Sequence, residues 1–164
     1  MNAKQLAQKI AELRERHALS QRDLAKLMGL SAASISRMEA GQMMANALVI
    51  LLLEWFERKG DKEALRELKD AKGLTGKQLK LTRIDLELDQ AELAHLLGVS
   101  HASVSRWEKG ITKISHLPII TLAMDEVKFQ LSQPDSKMTK ERLAMLDKKK
   151  EAVPNGGTLE TANA

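Results

Sequence analysis

The 164-residue chain has no cysteine and no tyrosine, and aromatic residues make up only 2% of it. Without thiols it can form neither disulfides nor thiolate metal sites, which suits a reducing compartment. With so few rings, a hydrophobic core has to be built from aliphatic side chains and methionine. The scarcity of rings also argues against recognition of single-stranded nucleic acid, where bases stack on aromatic side chains.

Long apolar segments are missing as well. The longest apolar run, Ala47–Leu53, is far too short to cross a bilayer, and the first residues lack the apolar core of a secretion signal. We therefore expect a cytoplasmic protein without membrane contact. The formal charge of +4 permits nucleic acid as a partner without requiring it.

Signatures of enzymes and of metal sites are also absent from the sequence. It has no phosphate-cradling glycine loop, no nucleophile elbow and no dinucleotide fingerprint. Its four histidines are scattered, without the HExxH spacing or a carboxylate cluster that would hold a metal. We expect no catalytic activity, no metal and no cofactor.

The sequence does contain an internal duplication, in which Leu19–Gly41 recurs as Leu88–Gly110 at an offset of 69 residues. The segments read LSQRDLAKLMGLSAASISRMEAG and LDQAELAHLLGVSHASVSRWEKG, and 13 of the 23 aligned positions are identical. Two copies at so long a period indicate two related domains and not a solenoid. We predict domains at residues 1–73 and 74–150, followed by a disordered tail at residues 151–164.

Each copy is predicted to be helical, because apolar residues recur at helical spacing and no alternating strand pattern appears. The predicted fold is all-α, with two tandem domains of about five helices each. Capping boxes begin the second helix of each copy, Gly29 and Gly98 end it, and a serine begins the third. The other helices are predicted at Ala3–Arg16, Met43–Arg58, Asp61–Lys72, Lys77–Leu86, His116–Leu131 and Lys137–Lys150.

The third helix of each copy has two different sides at about 100° per residue. Ile35 and Met38 are predicted to face the core, as are Val104 and Trp107 in the second copy. The outward sides carry small and polar residues with one arginine: Ala32, Ala33, Ser36 and Arg37, then His101, Ala102, Ser105 and Arg106. Small residues let a helix enter the major groove, arginine can bind guanine through two hydrogen bonds, and alanine can contact a thymine methyl.

Both copies resemble the lambda-repressor-like (Cro/Xre-type) helix-turn-helix family, through SQRDLAKLMGLSAASISRMEAG and DQAELAHLLGVSHASVSRWEKG. The resemblance implies compact domains of about five helices that bind double-stranded DNA and regulate transcription. Most members carry one such domain and dimerise, so the duplication leaves the operator geometry open. A pseudo-twofold pairing would read an inverted repeat, and a translational pairing would read a direct repeat.

The resemblance also assigns roles to individual residues. Glutamine at the start of the second helix would contact a DNA phosphate, and an arginine of the first helix would pair with the glutamate near the end of the third. The implied pairs are Arg14 with Glu39 and Arg83 with Glu108. The implied DNA-binding residues are Gln21, Ser31, Ala32, Ala33, Ser36, Arg37, Gln90, Ser100, His101, Ala102, Ser105 and Arg106.

We therefore expect a sequence-specific regulator, a repressor associated with the nucleoid that occupies its operator. The alternative is an antitoxin that binds a toxin and regulates its own operon, which would suit the apolar helix at Ala47–Leu53 and the C-terminal segment at residues 132–164. RNA binding is a third and weaker hypothesis. Three questions stay open: whether the chain forms a homodimer, whether both copies contact DNA, and what covers the second face of the apolar helix.

Overall fold

The computed structural model describes residues 2–114 and 117–152, and within these ranges it contains helices and no strand. The all-helical prediction is therefore confirmed. No helix in this part of the chain combines the length and apolar character that a bilayer crossing needs. The helices are α1 (Ala3–Arg16), α2 (Gln21–Met28), α3 (Ala32–Glu39), α4 (Ala47–Lys59), α5 (Asp61–Asp70), α6 (Gly76–Asp85), α7 (Gln90–Leu97), α8 (His101–Glu108), α9 (Leu117–Ser132) and α10 (Lys137–Ala152).

The helices form two compact units, one ending at Phe129 and the other beginning at Gln130. The first unit holds both copies of the duplicated motif. We call α1–α5 the first repeat, and α6 to α9 as far as Phe129 the second repeat. Helix α10 belongs to the second unit. The domain boundaries proposed from the sequence stay a prediction, and the predicted tail lies, from residue 153 onward, outside the described residues.

Capping boxes begin the second helix of both repeats, as the sequence predicted. The Ser20 side chain accepts a hydrogen bond from the backbone N–H of Asp23, whose carboxylate accepts one from the backbone N–H of Ser20. The same reciprocal pair forms between Asp89 and Glu92 in the second repeat. These bonds satisfy N–H groups that a helix start would otherwise leave without a partner.

Glycines end the same two helices in the left-handed conformation. Gly29 has a φ of 63° and Gly98 a φ of 65°, values that are unfavourable for a residue with a Cβ. A Cβ added at Gly98 would also lie 2.8 Å from the Cβ of Ala47, the first residue of α4. The turn between α7 and α8 therefore rests on the first repeat, and glycine permits that approach.

We expect the substitution Gly98→Ala to lower the free energy of unfolding more than Gly41→Ala does. Gly41 has a similar φ of 68°, but a Cβ there would meet nothing within 4 Å. Both variants bear the left-handed strain, and only Gly98→Ala adds overpacking of about 1–3 kcal/mol. Chemical denaturation of the two variants measures the difference. Equal losses would show that Ala47 moves aside without cost.

The first half of helix α4, Ala47–Leu53, is apolar on all sides, and most of it is buried. Helix α4 packs on α5 within the first repeat and on α7 of the second repeat. The second face is thus covered by the other repeat, inside the same unit. The buried residues are Leu48, Val49, Leu51, Leu52, Leu53, Trp55 and Phe56.

Some predicted helix ends are wrong by a few residues. Helix α4 begins at Ala47 and not at Met43, because the side chain of Asn46 accepts a hydrogen bond from the backbone N–H of Val49 and caps the helix there. Helix α6 begins one residue earlier than predicted, at Gly76, because the preceding threonine forms a capping box. The predicted start of the next long helix, His116, lies outside the described residues.

Candidate nucleic-acid interface

Helices α3 and α8 each begin at a serine that caps them. The side chain of Ser31 accepts a hydrogen bond from the backbone N–H of Ser34, and the side chain of Ser100 accepts one from Ser103. In both helices the two hydroxyls also lie 2.8 Å apart. Both capping serines are exposed, so the starts of the two helices face solvent.

The inner sides of these helices are anchored in the core. Ile35 and Val104 are fully buried, Met38 is 1% exposed and Trp107 is 9% exposed. Helix α3 packs on α1 and α2, and α8 packs in the same way on α6 and α7. Each helix is therefore fixed in rotation about its axis, which decides which residues it presents outward.

The outer sides carry the residues that the sequence assigned to DNA. Most of them are exposed, and none is buried. Ala33, Ser36 and Arg37 are exposed and Ala32 is half-buried, while His101, Ala102 and Arg106 are exposed and Ser105 is half-buried. The structure thus brings each predicted set together on one open helix face.

A carboxylate network lies behind the first of these faces. Arg14 Nε donates a hydrogen bond to Glu39 Oε1 at 2.8 Å, and Gln21 Nε2 donates to Glu39 Oε2 at 2.6 Å. Glu39 is the last residue of α3, so the two bonds tie that end to α1 and α2. Arg14 Nη1 also donates to the backbone oxygen of Leu19, at 3.3 Å.

The second repeat contains the same network, with closer contacts. Arg83 donates two hydrogen bonds to Glu108, from Nε to Oε1 at 2.6 Å and from Nη2 to Oε2 at 3.0 Å. Gln90 Nε2 donates to Glu108 Oε2 at 2.8 Å. The Arg83 side chain is 12% exposed and that of Glu108 only 2%, against 28% and 11% for the equivalent pair in the first repeat.

Each arginine also holds a strained turn. Ala18 and Glu87, at equivalent positions after α1 and α6, have φ values of 49° and 55°. The residue after each one offers its backbone oxygen to the arginine, at 2.7 Å in the case of Leu88 and Arg83. The guanidinium therefore stabilises a left-handed turn that contains no glycine, in addition to fixing the end of α3 or α8.

The bonds from glutamine to glutamate were not anticipated from the sequence. Gln21 and Gln90 were assigned to DNA phosphates, and the structure shows that each also donates to the glutamate of its network. An amide nitrogen carries two hydrogens, so one donor is left for a phosphate oxygen. The signal was present in the sequence, because glutamine and glutamate recur together at the offset of 69 residues.

The surroundings of Glu108 favour its charged form. Burial by itself would raise the pKa of its carboxyl, but hydrogen bonds from Arg83 and Gln90 outweigh burial and hold the pKa below its usual value. The hydrogen bond to Glu108 likewise raises the pKa of Arg83. The network is therefore an ion pair at every pH at which the protein would meet DNA.

We expect acid to destabilise the protein through Glu108. Because its pKa is lower in the folded chain than the value of 4.5 in the unfolded chain, its contribution is complete above about pH 4.5 and is lost as the pH falls through the folded value. Glu108→Gln should therefore lose less stability than the parent as the pH is lowered from neutral to below about 4.5. Urea denaturation at several pH values measures this. Parallel losses in the two proteins would contradict it.

The start of α6 also packs closely against the end of α8. A Cβ added at Gly76 would lie 1.7 Å from the backbone oxygen of Trp107, a distance no two such atoms can occupy. Glycine is therefore required where the start of α6 meets the end of α8. The glycine-containing linker thus has a packing role as well as a connecting one.

Comparison with known families decides what this duplicated arrangement is. The helix-turn-helix family matches residues 10–54 and residues 79–123, which together make up more than half of the chain. The chain belongs to the lambda-repressor-like helix-turn-helix family. A search of the curated proteins and a search of the solved structures found no match. As a tandem helix-turn-helix protein it is a DNA-binding regulator of transcription, and its partner is double-stranded DNA.

Proposed function

We propose that the protein is a sequence-specific repressor that reads duplex DNA with both α3 and α8. One observation carries this proposal: two helices of one chain, each packed on the two helices before it, present outward sets that match at three of four positions, with the arginine exposed in both. A spacer role for α8 would not require an exposed arginine at the position where the first repeat exposes Arg37, whereas DNA binding by both helices would.

The two parts of each interface have different tasks. Gln21 and Gln90, held by the carboxylate networks, would position the helices by donating to phosphate oxygens. The outward residues of α3 and α8 would read base edges, with Arg37 and Arg106 as the side chains able to form two hydrogen bonds with guanine. Ala33, which is small and exposed, suits a thymine methyl.

Selection of bound duplexes from a random pool, followed by transcription in vitro, tests the proposal. We expect one enriched motif, and we expect the protein to lower transcription from a promoter that overlaps it. A pool without an enriched motif would show that binding has no sequence preference. A rise in transcription would make the protein an activator.

An antitoxin role is the second candidate. The burial of α4 removes one of its two motivations, since that helix is covered within the first unit. The other motivation is the separate unit that begins at Gln130 and contains α10. A toxin-like reading frame beside the gene, whose product binds the full chain and not a chain without residues 132–164, would favour this role over simple repression.

A further inference from the structure

The two repeats meet through side chains of α4 and α9. Trp55 Nε1 donates a hydrogen bond to Asp125 Oδ2 at 3.1 Å. Arg58 donates from Nε to Glu126 Oε2 and from Nη2 to Asp125 Oδ2, both at 2.8 Å. The Arg58 guanidinium also lies over the ring of Phe129, 4.3 Å from its centroid. We call this set of contacts the junction.

The junction joins equivalent surfaces of the two repeats. At the offset of 69 residues, Asp125 and Glu126 correspond to Phe56 and Glu57. The segment at residues 55–58 of the first repeat therefore contacts the segment of the second repeat that corresponds to residues 56 and 57. Contact between the same patch on two related bodies is the property of a twofold interface, whereas a translational pairing would join different patches.

The charges at the junction differ between the repeats: the first repeat supplies the guanidinium and the second supplies the carboxylates. Met124 and Val127 occupy the second-repeat positions that Trp55 and Arg58 occupy in the first, so the guanidinium is supplied by the first repeat alone. Glu126 is 2% exposed. Two second repeats facing each other would bury this carboxylate against valine, at a large cost in desolvation. The junction is therefore suited to pairing within one chain.

Two further contacts restrict motion between the repeats. Ala47, at the other end of α4, lies against Gly98, and it is separated from Arg58 by about 16 Å of helix. The hydroxyl of Thr121 donates to the backbone oxygen of Lys72 at 3.0 Å. Because α4 is held by the second repeat at both ends, hinge motion would have to break contacts far apart.

We propose that one chain is an internal pseudo-dimer whose target is an imperfect inverted repeat with a single fixed spacing. The inference rests on the proposed function, since it needs α3 and α8 to be the helices that read DNA. Helices related by a twofold read half-sites related by a twofold, and a fixed protein geometry fixes their spacing.

The two outward faces differ at one position, which predicts where the two half-sites differ. The outward faces are identical at three of their four positions and differ only where Ala32 in α3 is replaced by His101 in α8. Alanine offers a methyl group, whereas histidine offers a ring N–H and a ring nitrogen acceptor. The two half-sites should therefore match except at the base pair that this first position reads.

Selection from a random duplex pool with the parent and with His101→Ala tests the symmetry. We expect the parent to enrich an inverted repeat with one unmatched position per half-site, and His101→Ala to enrich a more symmetric motif. We expect one protein chain to bind each duplex, which the measured mass of the complex would show. A direct repeat, a single half-site or two chains per duplex would overturn the pseudo-dimer while leaving DNA binding in place. A pool without any enriched motif would instead defeat the proposed function.

A spacing series tests the junction. Inserting about five base pairs, half a helical turn, between the half-sites should lower the affinity of the parent protein for the duplex by about tenfold or more. Only one half-site can then be bound at a time. Arg58→Gln should flatten this dependence without changing affinity for one isolated half-site. Lys59→Gln is the matched control, since Lys59 is 24% exposed against 22% for Arg58 and its ion pair with Glu67 lies within the first repeat.

Each outcome of the spacing series has a clear meaning. A flat profile for the parent would overturn the fixed spacing, and an unchanged profile for Arg58→Gln would remove the junction from its control. If Arg58→Gln does not fold, Trp55→Phe is the second variant, because it deletes the indole N–H bond to Asp125, keeps an aromatic ring in the core and loses only part of the buried ring volume. Trp55→Phe should likewise reduce the dependence of affinity on the spacing between the half-sites.

Discussion

Replacing both Arg37 and Arg106 by alanine is expected to remove most of the sequence preference while leaving the fold intact. Both side chains are exposed on the outward faces, so neither substitution opens a cavity. A bidentate contact to guanine discriminates by about 1–3 kcal/mol, so each single variant should lose about fivefold to 150-fold in specific affinity. Gel-shift titration on the selected motif and on a scrambled duplex measures this.

The control for this experiment is Arg66→Ala, which removes an exposed arginine from α5, a helix that carries none of the residues assigned to DNA. It should bind the selected motif almost as the parent does. If the two arginines contact only phosphate, their loss will weaken both duplexes equally and leave the preference unchanged. Unchanged specific affinity in both single variants would exclude these arginines from base reading altogether.

The largest loss of stability is expected from Arg83→Met. The substitution leaves the carboxylate of Glu108, whose side chain is 2% exposed, without its guanidinium. Removing one partner of such a buried pair costs about 3 kcal/mol or more, which is a large part of the stability of a small domain. The turn at Leu88 would lose its donor as well. Thermal and urea denaturation should show a clearly weakened protein.

Two comparisons separate the lost charge pair from lost packing. Arg14→Met removes the equivalent but more exposed arginine and should cost less. The double variant Arg83→Met with Glu108→Leu removes both charges and should recover a substantial part of the loss, because an apolar pair of similar size is often tolerated. A double variant that is no more stable than Arg83→Met would contradict this account.

Features fixed by neighbouring residues were predictable from the sequence. The capping boxes at Ser20 and Asp89 need only a partner three residues away, and the left-handed glycines follow directly from their place at a helix end. The inward and outward sides of α3 and α8 follow from helical periodicity. Duplication strengthened each of these predictions, because the same signal occurs at both copies.

Features that depend on distant residues were not predictable from one sequence. The hydrogen bonds of the junction join Trp55 and Arg58 to partners 67 to 70 residues away, and no periodicity links those positions. The sequence showed that α4 needs cover on both faces but could not say which element supplies it. The late start of α4, at Ala47 and not at Met43, is by contrast a local feature, because Asn46 caps the helix from inside the predicted span.

The two tryptophans give each repeat its own optical signal. Trp55 is fully buried at the junction and Trp107 is 9% exposed in the second repeat, and the chain has no tyrosine to add emission. Replacing one tryptophan at a time by phenylalanine would leave a single emitter in a known place. A red shift of Trp55 emission that precedes that of Trp107 on denaturation would then show the repeats separating before the second one melts.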